Sequence, residues 1–113
     1  MDITLPVGSW MHRAGEDSVT WALPGHTDAL PYIVIFKRRP MTGETGLYQV
    51  KVVRAHKNTV TGAVKNQIME INFRNVAWQV PADAAAAYDV LQGILADADL
   101  EAKATSTSAL PFS

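Results

Sequence analysis

From Tyr32 to Arg39 the chain reads Tyr-Ile-Val-Ile-Phe-Lys-Arg-Arg, rich in β-branched and aromatic residues. A period of two sends Tyr32, Val34 and Phe36 to one face of a strand, and Ile33, Ile35, Lys37 and Arg39 to the other. Pro40 lacks an N–H and is expected to stop the ladder, after which Gly43 and Gly46 turn the chain back. Leu47 to Arg54 repeats the alternation, with Tyr48, Val50 and Val52 opposed to Gln49, Lys51 and Val53. A third strand is expected over Val64 to Val76, where Met69, Ile71 and Phe73 alternate with Ile68, Glu70, Asn72 and Arg74. Between these last two strands Asn58, Thr61 and Gly62 signal a loop of about eight residues. Each strand thus has one apolar and one mixed polar face, as in an antiparallel meander covered on one side and wet on the other.

Before this sheet, Val7 to Arg13 and Ser18 to Leu23 are extended segments joined by Ala14-Gly15-Glu16-Asp17, which predicts a β-hairpin. Pro24-Gly25 breaks the chain, and Pro31 marks entry to the next strand. After the sheet, Pro81 opens a helix, with Asp83 in its first turn where a negative charge complements the dipole. Ala84, Ala87, Tyr88, Leu91, Ile94 and Leu95 recur at spacings of three and four and form one apolar stripe. Gly93 weakens that helix by about 1 kcal/mol relative to alanine and is expected to permit close packing. A short second helix is expected near Leu100 to Ala104.

The pattern predicts one α+β domain over residues 1–113: a hairpin (1–24), a meander sheet (31–76), then helices and tail (81–113). Three main strands and one or two short helices leave the apolar sheet face poorly covered in a single chain. An intertwined homodimer, the helices of each copy packed across the partner's sheet, would close it. The core of that dimer is expected at Phe36, Val50, Ile71, Phe73, Tyr88, Leu91 and Leu95.

Charge sharpens the picture. Eight of the ten Lys and Arg residues lie between Lys37 and Arg74, opposed there only by Glu44 and Glu70, so the segment carries +6. Residues 1–36 carry −3 and residues 75–113 carry −4, so the net charge of −1 hides a basic sheet between acidic ends. Clustered positive charge on one element is the electrostatic footprint of a polyanion; a solvated sheet face is the plainer reading of the same residues.

Several chemistries find no support. There is no cysteine, which excludes disulfides and thiolate sites and fits a reducing compartment. No apolar run reaches the roughly 20 residues of a membrane span, and the first ten residues lack the pattern of a secretory signal. His12, His26 and His56 have no metal-ligand spacing, and Asp97 and Asp99 are two apart and do not share a helix face. Phosphate loops, nucleophile elbows and zincin motifs are absent. Trp10, Trp21 and Trp78 are read as core or interface anchors. The expectation is a protein that is not an enzyme, with no cofactor, no metal, no small-molecule substrate and no membrane partner.

The chain resembles the coat proteins of single-stranded RNA bacteriophages, the levivirus-like shells. The likeness is carried by the hairpin Gly15-Glu16-Asp17-Ser18-Val19-Thr20 with its following Pro24, and by the strands Tyr32–Arg39 and Tyr48–Val53. It is carried further by the run NQIMEINFRNVAWQV and AYDVLQGILAD, including the helix step Gln92-Gly93-Ile94-Leu95, and by the tail Ala109-Leu110-Pro111-Phe112. Little room for an extra edge strand separates Trp21 from Pro31, and the loop from Ala55 to Ala63 is short for the family.

This resemblance implies a viral structural protein: a coat subunit that dimerises, assembles into an icosahedral virus-like particle and binds single-stranded RNA with stem-loops. In the better-known members a genomic stem-loop acts as a translational operator. The implied setting is the virion, with the bacterial host cytoplasm during assembly. The implied RNA-binding face carries Ile35, Lys37, Gln49, Lys51, Ile68, Glu70, Asn72 and Arg74, the polar face that alternation selects. Lys37, Lys51 and Arg74 would contact phosphates, Gln49 and Asn72 would read base edges or ribose, and Ile35 and Ile68 would offer an apolar platform. A loop of His56, Lys57, Asn58, Thr59, Thr61 and Gly62 would contact other dimers. The alternative is a dimeric β-sheet regulator that binds RNA or DNA without assembling further.

Overall fold

The computed structural model describes residues 3–107. The tail Ala109–Phe112 lies outside them. The chain divides into two compact units, a β unit reaching Ala77 and a helical unit from Trp78 onward.

The β unit is a five-stranded antiparallel meander in the order β1-β2-β3-β4-β5. Its strands are β1 (Trp10–Ala14), β2 (Ser18–Ala22), β3 (Tyr32–Thr42), β4 (Thr45–Lys57) and β5 (Val64–Val76). The hairpin expected at the N-terminus is present, but β1 starts at Trp10 and not at Val7. Pro6 to Ser9 forms a turn instead, closed by the Ser9 N–H and Oγ on the Pro6 carbonyl at 3.2 and 2.7 Å, with Gly8 at φ +94°. A bulge interrupts β1 between Met11 and Arg13 and leaves His12 without a partner in β2.

Pro40 does not end its ladder. Strand β3 runs on to Thr42, and the register shifts between Arg39, paired with Leu47, and Thr42, paired with Thr45. Pro40 and Met41 therefore oppose the single residue Gly46, a bulge that absorbs the missing proline donor without terminating the strand. Gly43, at φ +61°, then makes the tight reversal with Glu44.

Strands β4 and β5 pair without a break from Thr45–Val76 to Lys57–Val64. The apolar rows predicted by alternation are real rows. Val19, Phe36, Val50 and Ile71 stand in one cross-strand line; Trp21, Val34, Val52 and Met69 stand in the next. The core is centred on this face, where Leu23, Val34 and Phe36 are buried and Leu5, Val19, Trp21, Tyr32, Tyr48, Val50 and Val52 pack against them. The opposite face is less uniformly polar than its sequence suggests. At one end of it Ala22 and Val53 are buried, in the row that Ile33 and Ile68 complete.

In the helical unit, α1 (Pro81–Leu95) begins with proline in its first turn, and α2 (Ala98–Ala104) is capped by Asp97 accepting from the Asp99 N–H at 2.8 Å. An i,i+4 ion pair joins Asp99 to Lys103 at 2.6 Å. Neither helix holds a buried residue. The stripe predicted on α1 is present, but Tyr88, Ile94 and Leu95 are about half exposed. A Cβ at Gly93 would meet nothing within 4 Å among the described residues.

Truncating the centre of the β core should be costly. Phe36→Ala is expected to lose about 3–5 kcal/mol in denaturant unfolding at fixed protein concentration. Val7→Ala, at a position 98% exposed, should stay within about 0.5 kcal/mol of the parent.

Candidate nucleic-acid interface

Residues that pair directly across antiparallel strands project to the same side, roughly 5 Å apart along the row. The face opposite the core is therefore built row by row from the register. Arg39, Leu47 and Arg74 form one row; Ser18, Lys37, Gln49 and Asn72 form the next. Thr20, Ile35, Lys51 and Glu70 follow, and then Ala22, Ile33, Val53 and Ile68. All eight residues expected on the RNA-binding face, from Ile35 to Arg74, thus fall in four adjoining rows of one surface.

The polar groups at its centre are linked. Gln49 Nε2 donates to Asn72 Oδ1 at 2.7 Å and more weakly to Glu70 Oε2 at 3.5 Å. Among the described residues the ion pairs are Arg38–Asp17 and Lys103–Asp99, so Lys37, Lys51 and Arg74 face solvent without a carboxylate within 4 Å. Glu70 sits beside Lys51 in the ladder and lowers the local positive charge without forming such a pair. Ile68, 52% exposed, lies at the apolar end of the face, away from the Gln49–Asn72 row.

Arg39 joins this face and was not among the site residues expected from the sequence. The signal was present, since alternation already put it on the side of Lys37. Its guanidinium is turned to the β3–β4 reversal, where it donates to the Thr45 carbonyl at 3.4 Å. Two other arginines go elsewhere. Arg54 lies 4.4 Å over the Tyr32 ring, and Arg38 holds the first hairpin turn through the Glu16 carbonyl at 3.3 Å and Asp17 at 3.5 Å.

The residues expected in a dimer core divide between the two units. Phe36, Val50 and Ile71 share one row and Phe73 stands in the next, beside Tyr48. Phe36 is buried, whereas Val50, Ile71 and Phe73 are half-buried. On α1, Leu91 is half-buried and Tyr88 and Leu95 are exposed. Beside the Phe36 row an open cleft of about 330 Å³ runs along the first hairpin turn, its lining including Val19, Phe36 and Tyr48.

The loop expected to contact other dimers is shorter than predicted. His56 and Lys57 belong to β4, paired with Lys65 and Val64, and His56 Nε2 lies 2.7 Å from Gln67 Oε1. The cross-strand pairing of β4 and β5 outlasts the apolar alternation on which the boundary was drawn. The connection is residues 58–63, and it is tightly tied. Asn58 Oδ1 accepts from the Val60 and Thr61 N–H groups at 2.8 and 3.2 Å, and Gly62, at φ +77°, donates to the Asn58 carbonyl at 2.8 Å. Val60 is held at its tip, 91% exposed.

No protein-family model matches the chain, and no curated protein matches it. Solved structures do. The virus-like particle of Wenzhou levi-like virus 4 contains a chain with a TM-score of 0.79 and 21% identity, covering 100% of this chain and 84% of that one. The chain shares the fold of a virus-like particle protein. The virus-like particle of Beihai levi-like virus 32 gives a TM-score of 0.71 at 16% identity, over 97% of this chain and 93% of that one. That of bacteriophage ESE020 gives 0.74 at 16% identity, over 88% and 84%. The fold expected from the resemblance, a meander sheet followed by two helices, is the fold these particle chains share with it.

Removing the Asn58 acceptor should loosen the loop locally. Asn58→Ala is expected to cost about 1 kcal/mol and to speed amide hydrogen exchange at Val60 and Thr61. The amides of the β4–β5 ladder should keep their protection.

Proposed function

We propose that this protein is a viral coat subunit that dimerises, assembles into an RNA-containing shell, and binds single-stranded RNA on the face carrying Lys37, Lys51 and Arg74. The observation that carries the reading is the register itself. It gathers three unpaired cations and a linked pair of amides on one face, while the apolar rows gather on the other. Phosphate contacts by the cations would supply affinity and salt dependence, and the amides would supply any discrimination among bases. The likeness in fold to virus-like particle chains supports assembly over the non-assembling regulator.

Two features support dimerisation. Strand β5, 13 residues long, is the outermost strand of the sheet and pairs with β4 among the described strands. An outermost strand is where a sheet can be extended, and a two-fold axis would set β5 beside its own copy. The apolar stripe of α1 from that copy would cover the row of Phe36, Val50 and Ile71 and the cleft beside it. The tied loop at 58–63 would present Val60 to neighbouring dimers. The shell would occupy the virion and form in the host cytoplasm.

Two outcomes test this reading. Leu91→Asp should abolish soluble dimer, because a charge buried without a partner costs several kcal/mol; a cooperatively folded monomer of the parent at micromolar concentration would refute the dimer. Particles of the parent should carry nuclease-protected RNA absorbing near 260 nm, and the triple variant Lys37→Ala, Lys51→Ala, Arg74→Ala should carry little. Each single replacement should reduce the salt slope of RNA binding by roughly 0.7–0.9. A triple variant that retains RNA as the parent does would remove the face from the reading.

A further inference from the structure

The core face of the sheet is apolar only in its middle. Beyond the row of Trp21, Val34, Val52 and Met69 come Tyr32, Arg54 and Gln67, and then His56 and Lys65. Arg54 and Lys65 are diagonal neighbours across β4 and β5, roughly 7–8 Å apart at the backbone. Both are exposed, and neither belongs to an ion pair among the described residues. The other diagonal of the same four residues is closed by His56 Nε2, 2.7 Å from Gln67 Oε1. That contact occupies the amide oxygen, while Arg54 and Lys65 present only donors and positive charge. A helix laid over the apolar rows and reaching this end of the sheet meets two cations.

A two-fold axis perpendicular to the sheet and beside β5 decides which end of α1 arrives there. It sets the two copies of β5 antiparallel, so the Val76 end of one lies beside the Val64 end of the other. Lys65 stands at that Val64 end. Helix α1 begins at Pro81, and the five steps of chain from Val76 reach at most about 17 Å. Strand β4 of the neighbouring copy lies about 10 Å away across the sheet. The first turn of α1, and not its last, is thus delivered to Arg54 and Lys65. The positive end of the helix dipole alone is unsuited to that place. Asp83, exposed in the first turn and in no ion pair among the described residues, makes that end negative.

We infer that Asp83 of one copy pairs with Arg54 and Lys65 of the other, an ion pair between subunits that fixes how α1 enters its neighbour's sheet. The inference rests on the proposed dimer and names the polar contact that sets its geometry. The wider charge pattern agrees, since residues 75–113 carry −4 and the segment from Lys37 to Arg74 carries +6. Exposed pairs of this kind add little to stability and act mainly on which surfaces meet.

The test is a charge swap on the full chain, read on the dimer fraction by native mass spectrometry. Lys65→Glu sets two carboxylates face to face, twice in a symmetric dimer, and Asp83→Lys does the same with cations. Each single variant should exchange subunits at least about tenfold faster than the parent at low salt. The difference should shrink as salt is raised to about 0.5 M. The double variant restores opposite charges and should exchange more slowly than either single one. Co-expression of the two single variants matches the charges in both halves of a mixed dimer. That dimer should form well above the roughly one half that random pairing gives. Any harm Asp83→Lys does to its own helix is the same in mixed and unmixed dimers, so this ratio reads the contact alone. Random pairing, with the double variant exchanging as fast as the single ones, would overturn the inference and leave the dimer standing. A parent that is a folded monomer would remove the dimer reading and the inference together.

Discussion

A sheet with one apolar face and one long free edge cannot be left in water at both. Buried apolar surface is the main favourable term in folding, at about 25 cal/mol per Å², and an unpaired strand edge invites another strand. This chain has an apolar sheet face and a long outermost strand. Its core of Leu23, Val34 and Phe36 is small, its helices hold no buried residue, and β5 is the outermost strand, paired with β4 among the described strands. The apolar stripe of α1 and the rows of β3, β4 and β5 are alike in chemistry, and in the proposed dimer a second copy would cover each. The opposite face would then be left to solvent or to a polyanion, and among the described residues Lys37, Lys51 and Arg74 on it form no ion pair.

Much of this was legible from alternation. A period of two places residues on faces whatever the neighbouring strand does, so the split between Phe36 and Lys37, or between Ile71 and Asn72, survived intact. Errors came where a local signal was overridden by pairing. Pro40 reads as a stop, yet a bulge opposite Gly46 carries the strand past it. His56 and Lys57 read as loop because their polarity hides the strand, yet they extend the β4–β5 ladder. Val7 reads as strand because it is β-branched, yet the Pro6–Ser9 turn takes it. Gly93 reads as a contact glycine, and among the described residues a Cβ there would meet nothing within 4 Å.

The hydrogen bonds at the centre of the basic face were not legible at all. Alternation puts Gln49, Glu70 and Asn72 on one side, but only the cross-strand register brings Gln49 level with Asn72 and one step from Glu70. The same limit applies to the likeness with particle chains. At 16–21% identity few individual residues are held in common, and what persists is the fold.

The central claim is that this fold is a unit of self-assembly. Sedimentation velocity on the purified protein, with negative-stain microscopy of the fastest fraction, tests it most directly. The account predicts closed particles of uniform size in equilibrium with dimers and no folded monomer. A single species no larger than a dimer, under all conditions of salt and added RNA, would contradict it.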